Sequence, residues 1–217
     1  MLYDITLPTL ISRIIVLLIA FSVHEFAHAW TADRFGDNTP RANGRLTLNP
    51  VSHLDPIGSL MLLLVGFGWA KPVPVNPYAL GRRSSAALMW VSLAGPLSNF
   101  IMAALAAVAF RLGFVSLFAA FVNPGTVFPT LDKLFYEFIF INLLLMLFNL
   151  IPLAPLDGDK IADYFLPPSW SRFMETIRPY GPMILMALLF LGPMMGLPII
   201  RWIIVPPMNA LFQLLVG

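Results

Sequence analysis

Leu7-Pro8-Thr9-Leu10-Ile11-Ser12-Arg13-Ile14-Ile15-Val16-Leu17-Leu18-Ile19-Ala20-Phe21-Ser22-Val23-His24-Glu25-Phe26-Ala27-His28-Ala29-Trp30 is the stretch that decides the fold. At about 1.5 Å per helical residue it is long enough to cross the hydrocarbon layer of a membrane. Arg13 alone interrupts its first half. A cleaved secretory leader fits poorly. The chain opens Met1-Leu2-Tyr3-Asp4 without basic residues, and cleavage would fall among His24, Glu25 and His28, so the segment is expected to be retained. The whole composition agrees with a membrane setting: 59% of the 217 residues are hydrophobic and 11% charged, against about a quarter charged in soluble domains.

Working outward, the texture changes between Asp33 and Arg83 to Gly, Pro, Asn and Arg, which discourages helix. Within it, Ile57 to Ala70 is apolar but short for a crossing, so a re-entrant loop or a short β-hairpin is expected. Three further spans are expected at about Ser85 to Phe110, Phe135 to Leu156 and Pro182 to Ile204, the last interrupted by Gly192-Pro193 and Gly196-Leu197-Pro198. The tail from Met208 to Val216 is too short to cross alone. The last 36 or so residues can make one kinked span plus a surface helix or two short crossings. The expectation is an all-α polytopic membrane protein, a bundle of four to six transmembrane helices with the Gly/Pro-rich segment between the first two. One domain covers residues 1–217, with a core at about 7–160 and C-terminal hydrophobic segments at about 180–217.

Basic residues set the expected orientation. Arg34, Arg41, Arg45, Lys71, Arg82, Arg83, Lys160, Arg172 and Arg178 share one side if the first span runs outward to inward. That places the N-terminus outside and the Pro-rich loop in the cytoplasm. The absence of cysteine removes disulfides, thiolate metal sites and cysteine nucleophiles. A net charge of +2 without a basic tract gives no indication of nucleic-acid binding.

His24-Glu25-Phe26-Ala27-His28 is an HExxH pattern on this helix. At 100° per residue the two histidines stand on adjacent turns about 40° apart, so both imidazoles can reach one zinc ion at about 2.1 Å. Glu25 sits beside them, in the position of a general base acting on water. Shuffling this composition produces the pattern in roughly one chain in two thousand, and ionisable groups inside a span are costly enough to mark function. Catalytic zinc needs a third protein ligand and an open position. The remaining histidine, His53, is one option. The other is Asp157, after the third apolar span in Asn149-Leu150-Ile151-Pro152-Leu153-Ala154-Pro155-Leu156-Asp157-Gly158. Alternating spans return Asp157 to the end of the bundle that holds His24. A helix-end aspartate in a turn, with Gly158 supplying the bend, is the bland alternative.

These residues carry a resemblance to the site-2 protease family of intramembrane zinc metalloproteases. The matches run in order: His24-Glu25-x-x-His28; Asn49-Pro50-x-x-His53-x-Asp55-Pro56-x-Gly58; Gly68-Trp69-Ala70-Lys71-Pro72-Val73-Pro74-Val75-Asn76-Pro77; Ala94-Gly95-Pro96-x-x-Asn99; and Asn149-x-x-Pro152 leading to Asp157-Gly158. They cover roughly residues 20 to 160, and several spaced motifs are more specific than one. The resemblance implies one zinc ion held by His24, His28 and Asp157, with Glu25 as the acid and base of catalysis. It also implies that Asn149 helps hold the scissile carbonyl. The implied substrates are transmembrane segments of other proteins, cut towards the cytoplasmic side of a prokaryotic membrane. Within these 217 residues the core is expected to stand without the PDZ-like insertion or the cystathionine-β-synthase-type domain that often accompanies this family.

Other residues admit two readings. Asn149, an amide inside an apolar span, can instead join helices. His53 can support a ligand, be a further ligand, or bond locally within its loop; Asn76 is a candidate to support the site or bind substrate. Gly95-Pro96 suits close packing or a kink, and Glu137 suits the headgroup region. Three rival functions remain: a membrane metal-binding or transport protein, a relative that binds membrane segments without cutting, and an aspartyl protease built on Asp4 and Asp157. Transport requires polar residues threading several spans, and spans two and four are nearly devoid of them.

Overall fold

A computed structural model describes residues 6–58, 68–122, 125 and 127–217. The first helix, α1, runs Leu7–Arg34. The Thr6 side chain accepts from the Thr9 amide and Pro8 stands in the first turn, where a missing N–H costs nothing. It ends past Trp30, closed by Gly36 at φ 87°, a conformation that favours glycine. Short helices α2 (Thr39–Ala42) and α3 (Pro77–Arg83) lie in the polar connection. Helix α4 (Ala87–Arg111) returns across the bundle, followed by α5 (Leu117–Phe121) and α6 (Leu131–Asn149). Then come α7 (Asp157–Phe165), a helical run α8 (Pro168–Met194) and α9 (Ile199–Val216).

Four helices, α1, α4, α8 and α9, are long and apolar enough to cross a membrane. Helix α6 carries Asp132, Lys133 and Glu137 in its first two turns and packs against α1, α4, α5 and α9. Ala103, Ala106 and Ala107 of α4 leave room for Ile139 and Leu143 of α6, both fully buried. Small residues at helix crossings gain van der Waals contact where lipid supplies no hydrophobic drive between helices. Large apolar side chains such as Ile19, Leu105, Phe118 and Trp202 remain exposed on the outer faces, as lipid-facing positions do.

Three expectations need correction. The expected third span is α6, which stops at Asn149, not Leu156, and its three charged residues keep it out of the set of helices apolar enough to cross. Pro152 and Pro155 cannot continue the amide ladder, and residues 150–156 form turns with a cis Ala154-Pro155 bond. The expected span Pro182 to Ile204 is split, with Gly196 at φ 75° and Pro198 separating α8 from α9. The tail is thereby the second half of a full-length helix. Finally, Glu137 is 3% exposed and pairs with Arg13 of α1 at 3.2 Å, because a carboxylate facing the α1–α6 contact needs a cation. Among the described residues no strand forms beyond an isolated antiparallel bridge between Leu54 and Ala70. Residues 59–67, where a re-entrant loop or hairpin is expected, lie outside the described residues.

Candidate metal centre

Helical spacing puts His24, Glu25 and His28 on the buried face of α1, at 5%, 8% and 8% exposure. Asp157 is the first residue of α7, and its carboxylate meets the two imidazoles. His24 Nε2 and His28 Nε2 are 3.0 Å apart, and each lies 3.3 Å from Asp157 Oδ2. Tetrahedral ligands on bonds of about 2.0–2.1 Å stand about 3.3–3.4 Å from one another. The triangle therefore has the size of three corners of a zinc tetrahedron. Among the described residues, these three form the group of histidine and carboxylate side chains close enough to share one ion.

The donor chemistry fits as well. His28 Nδ1 lies 2.7 Å from the Val91 carbonyl of α4. A carbonyl only accepts, so Nδ1 carries the hydrogen and Nε2 turns a lone pair inward. His24 Nδ1 lies 2.6 Å from Asn99 Oδ1, also on α4. A carboxylate oxygen facing such a lone pair at 3.3 Å is stabilised by a cation between them.

Two glycines make the approach possible. A Cβ on Gly95 would stand 2.4 Å from His28 Nε2 and 2.6 Å from His24 Nε2. A Cβ on Gly158 would stand 2.4 Å from the Leu150 carbonyl oxygen and 2.3 Å from that of Ile151. Gly158 thus lets α7 start against the turn before it, and its φ is not positive, so close approach and not a bend is its requirement.

Glu25 points to the loop. Its Oε2 accepts from the Val73 amide at 3.1 Å, within the segment without regular structure that follows Ala70. Arg45, 4% exposed, holds that segment by donating to the carbonyls of Ser52, Lys71 and Pro72, the last at 2.7 Å. Burial lowers the Arg45 pKa from its ordinary value and the nearby Glu25 charge opposes the shift; the guanidinium stays charged regardless. Asp37, 1% exposed, accepts from the amides of Asn76 at 2.6 Å and Thr39 at 2.9 Å.

The other candidates sit elsewhere. His53 is 1% exposed, donates from Nε2 to the Thr47 carbonyl at 2.7 Å, and receives the Lys71 amide on its own carbonyl. It fastens the loop and is outside the three-residue cluster. The Asn76 side chain caps α3, accepting from Tyr78 and Ala79 amides. Asn149 ends α6, and its amide donates to the Leu145 carbonyl at 3.0 Å. Sequence reasoning missed Arg45, counted there only for orientation, and Asn142, whose signal is the same as that of Asn149: an amide in an apolar span.

The family model described as Peptidase family M50 matches residues 12–192. The chain is 42% identical over 185 residues to the Bacillus subtilis protein named "Putative zinc metalloprotease YwhC", covering 83% of this chain and 80% of that one. It is 31% identical over 179 residues to proteins named "Putative zinc metalloprotease Rip2". In Mycolicibacterium smegmatis the match covers 79% of this chain and 64% of the relative. In Mycobacterium tuberculosis H37Rv it covers 81% and 65%. The chain thus spans about two thirds of the length of these Rip2 proteins. No solved structure matches. The chain belongs to peptidase family M50, the site-2 protease family.

Proposed function

We propose that this integral membrane protein is a zinc metalloendopeptidase that cuts transmembrane segments of other proteins within or at the edge of the bilayer. One observation carries the reading: two imidazole nitrogens and a carboxylate oxygen meet in a triangle of 3.0 and 3.3 Å sides beside a buried glutamate. Membership of a peptidase family and relatives named as zinc metalloproteases support it. His24, His28 and Asp157 hold one zinc ion in this reading. When bound, the ion supplies Lewis acidity, lowering the pKa of water and polarising a carbonyl.

The protein's residues supply the rest. Glu25 takes a proton from the attacking water and returns it to the leaving amine, so no acyl-enzyme forms. The Val73 amide holds Glu25 Oε2, which leaves Oε1 for the water. Asn149 has a second amide hydrogen beyond the one given to Leu145, and it steadies the scissile carbonyl. Peptide bonds of a substrate helix are locked in their own ladder, so cleavage needs an unwound segment whose backbone groups find partners. The polar connection, with Arg45, Asp37 and Asn76, supplies a non-lipid boundary for that purpose. The distribution of basic residues supports an active site towards the cytoplasmic face of a prokaryotic membrane. Residues 1–217 work as one unit.

The test is Glu25→Gln in the full chain, purified in nanodiscs. Zinc content stays at one ion per chain, and cleavage of co-expressed single-pass membrane reporters falls to background. A chelator abolishes wild-type cleavage and added zinc restores it. Wild-type turnover by Glu25→Gln refutes the assignment.

A further inference from the structure

Asn99 and Asn142 are both completely buried, and neither has a part in the chemistry above. They form a continuous chain across three helices. Asn142 Nδ2 of α6 donates to the Phe138 carbonyl at 2.8 Å, Asn99 Nδ2 of α4 meets Asn142 Oδ1 at 2.8 Å, and Asn99 Oδ1 meets His24 Nδ1 of α1 at 2.6 Å.

The direction of every bond in this chain follows from one end. The Phe138 carbonyl can only accept, so the nitrogen of Asn142 faces it and the oxygen faces Asn99. That oxygen can only accept, so Asn99 presents its nitrogen to Asn142 and its oxygen to His24. His24 Nδ1 must then carry the hydrogen, and Nε2 is left with a lone pair. A reversed Asn99 would set two amide oxygens against each other at 2.8 Å in a dry interior and put an N–H against His24 Nδ1. The hydrogen of His24 would then move to Nε2, the atom that faces His28 and Asp157.

We infer that Asn142 is a positioning residue for His24, acting through Asn99: it fixes the direction of the Asn99 amide and thereby keeps His24 Nε2 bare for a metal ion. The inference rests on His24 being a metal ligand, as proposed above. Its consequence is that metal affinity depends on a residue of α6 that touches neither the ion nor the ligand. It also distinguishes Asn142 from an amide that merely joins helices. A joining role asks for any packing partner, whereas this role asks for an acceptor facing Asn99.

Two measurements on the full chain in nanodiscs test it. The first uses metal-free wild type labelled with 15N at its three histidines, with resonances assigned by substitution at His53 and His28. His24 Nδ1 is expected to carry a hydrogen, since it faces the Asn99 oxygen at 2.6 Å; a bare Nδ1 overturns the inference without any variant. The second compares zinc affinity, by competition with a chelator, in Asn142→Leu and Asn142→Asp. Asn142→Leu removes the acceptor, and zinc binds about 10- to 100-fold more weakly, the usual cost of losing an outer partner of a ligand. Asn142→Asp is protonated at this buried position, so its hydroxyl donates to the Phe138 carbonyl and its carbonyl oxygen still faces Asn99, and zinc affinity stays within a few-fold of wild type. Equal losses in both variants, or none in Asn142→Leu with its tautomer unchanged, reduce Asn142 to a helix-packing residue. Failure of the wild type to bind zinc refutes the functional proposal instead, and the tautomer measurement reads out independently of it.

Discussion

Replacing Gly95 by alanine adds one methyl group at the most crowded point of the α1–α4 crossing. The new carbon would lie 2.4 Å from His28 Nε2 and 2.6 Å from both His24 Nε2 and Cε1. Comfortable carbon contacts begin at about 3.5 Å, so the rings must retreat by about 1 Å. Metal–ligand bonds tolerate about 0.2 Å, and a displacement several times larger removes two ligands from reach together. Zinc affinity is expected to fall at least about 100-fold, beyond the usual cost of disturbing a ligand's supporting partners. The fold should survive, because overpacking of this size costs about 1–3 kcal/mol. The assay is zinc content by mass spectrometry with chelator competition, beside thermal unfolding in nanodiscs. Gly81→Ala is the control: Gly81 lies in α3 with nothing within 4 Å of an added Cβ. It should leave zinc binding unchanged and cost no stability. Stoichiometric zinc at wild-type affinity in Gly95→Ala would falsify the close approach of α4 to the two histidines.

Two further outcomes follow from the loop and from α7. Arg45→Met removes the donors to the Ser52, Lys71 and Pro72 carbonyls and releases the segment that presents the Val73 amide to Glu25. Turnover should drop about 10-fold or more by misplacing the base, while zinc content stays constant; equal zinc and equal turnover refute that role. On α7, Asp163 feels two opposed influences. Burial raises its pKa, and hydrogen bonds from Arg178 and Ser171 together with the Arg178 charge outweigh this, so its carboxyl sits below the usual range. A depressed carboxylate stabilises the fold above its unfolded pKa and loses that contribution as pH falls through the folded value. The difference in Tm between wild type and Arg178→Ala should therefore be full at neutral pH and shrink below about pH 4; a difference that grows on acidification contradicts the pairing.

Much of the architecture was legible because it is short-range. Apolar runs marked α1 and α4 to within a few residues, and the prolines of residues 150–156 and the Gly192–Pro198 interruptions marked the breaks even where the expected boundary was wrong. Glu137 was misread because its partner, Arg13, lies 124 positions away, and no local pattern indicates which buried carboxylate has a cation opposite. For His53 the sequence admits supporting a ligand, being a further ligand or bonding locally; its Nε2 binds a carbonyl six residues earlier.

The sequence by itself determined that a helix carries two histidines and a glutamate on one face, since a spacing of four residues is a property of the helix alone. It also made Asp157 an available third ligand, by eliminating cysteine and by alternating the spans. Only the tertiary structure decided that the three atoms form a triangle of 3.0 and 3.3 Å sides, and that Gly95 leaves room for it. Only the tertiary structure aligned Phe138, Asn142, Asn99 and His24 in one directed chain. The physical reason is that these relations join residues up to 133 positions apart, from Asp157 back to His24. They are set by how side chains of different helices pack, which periodicity along one helix does not encode.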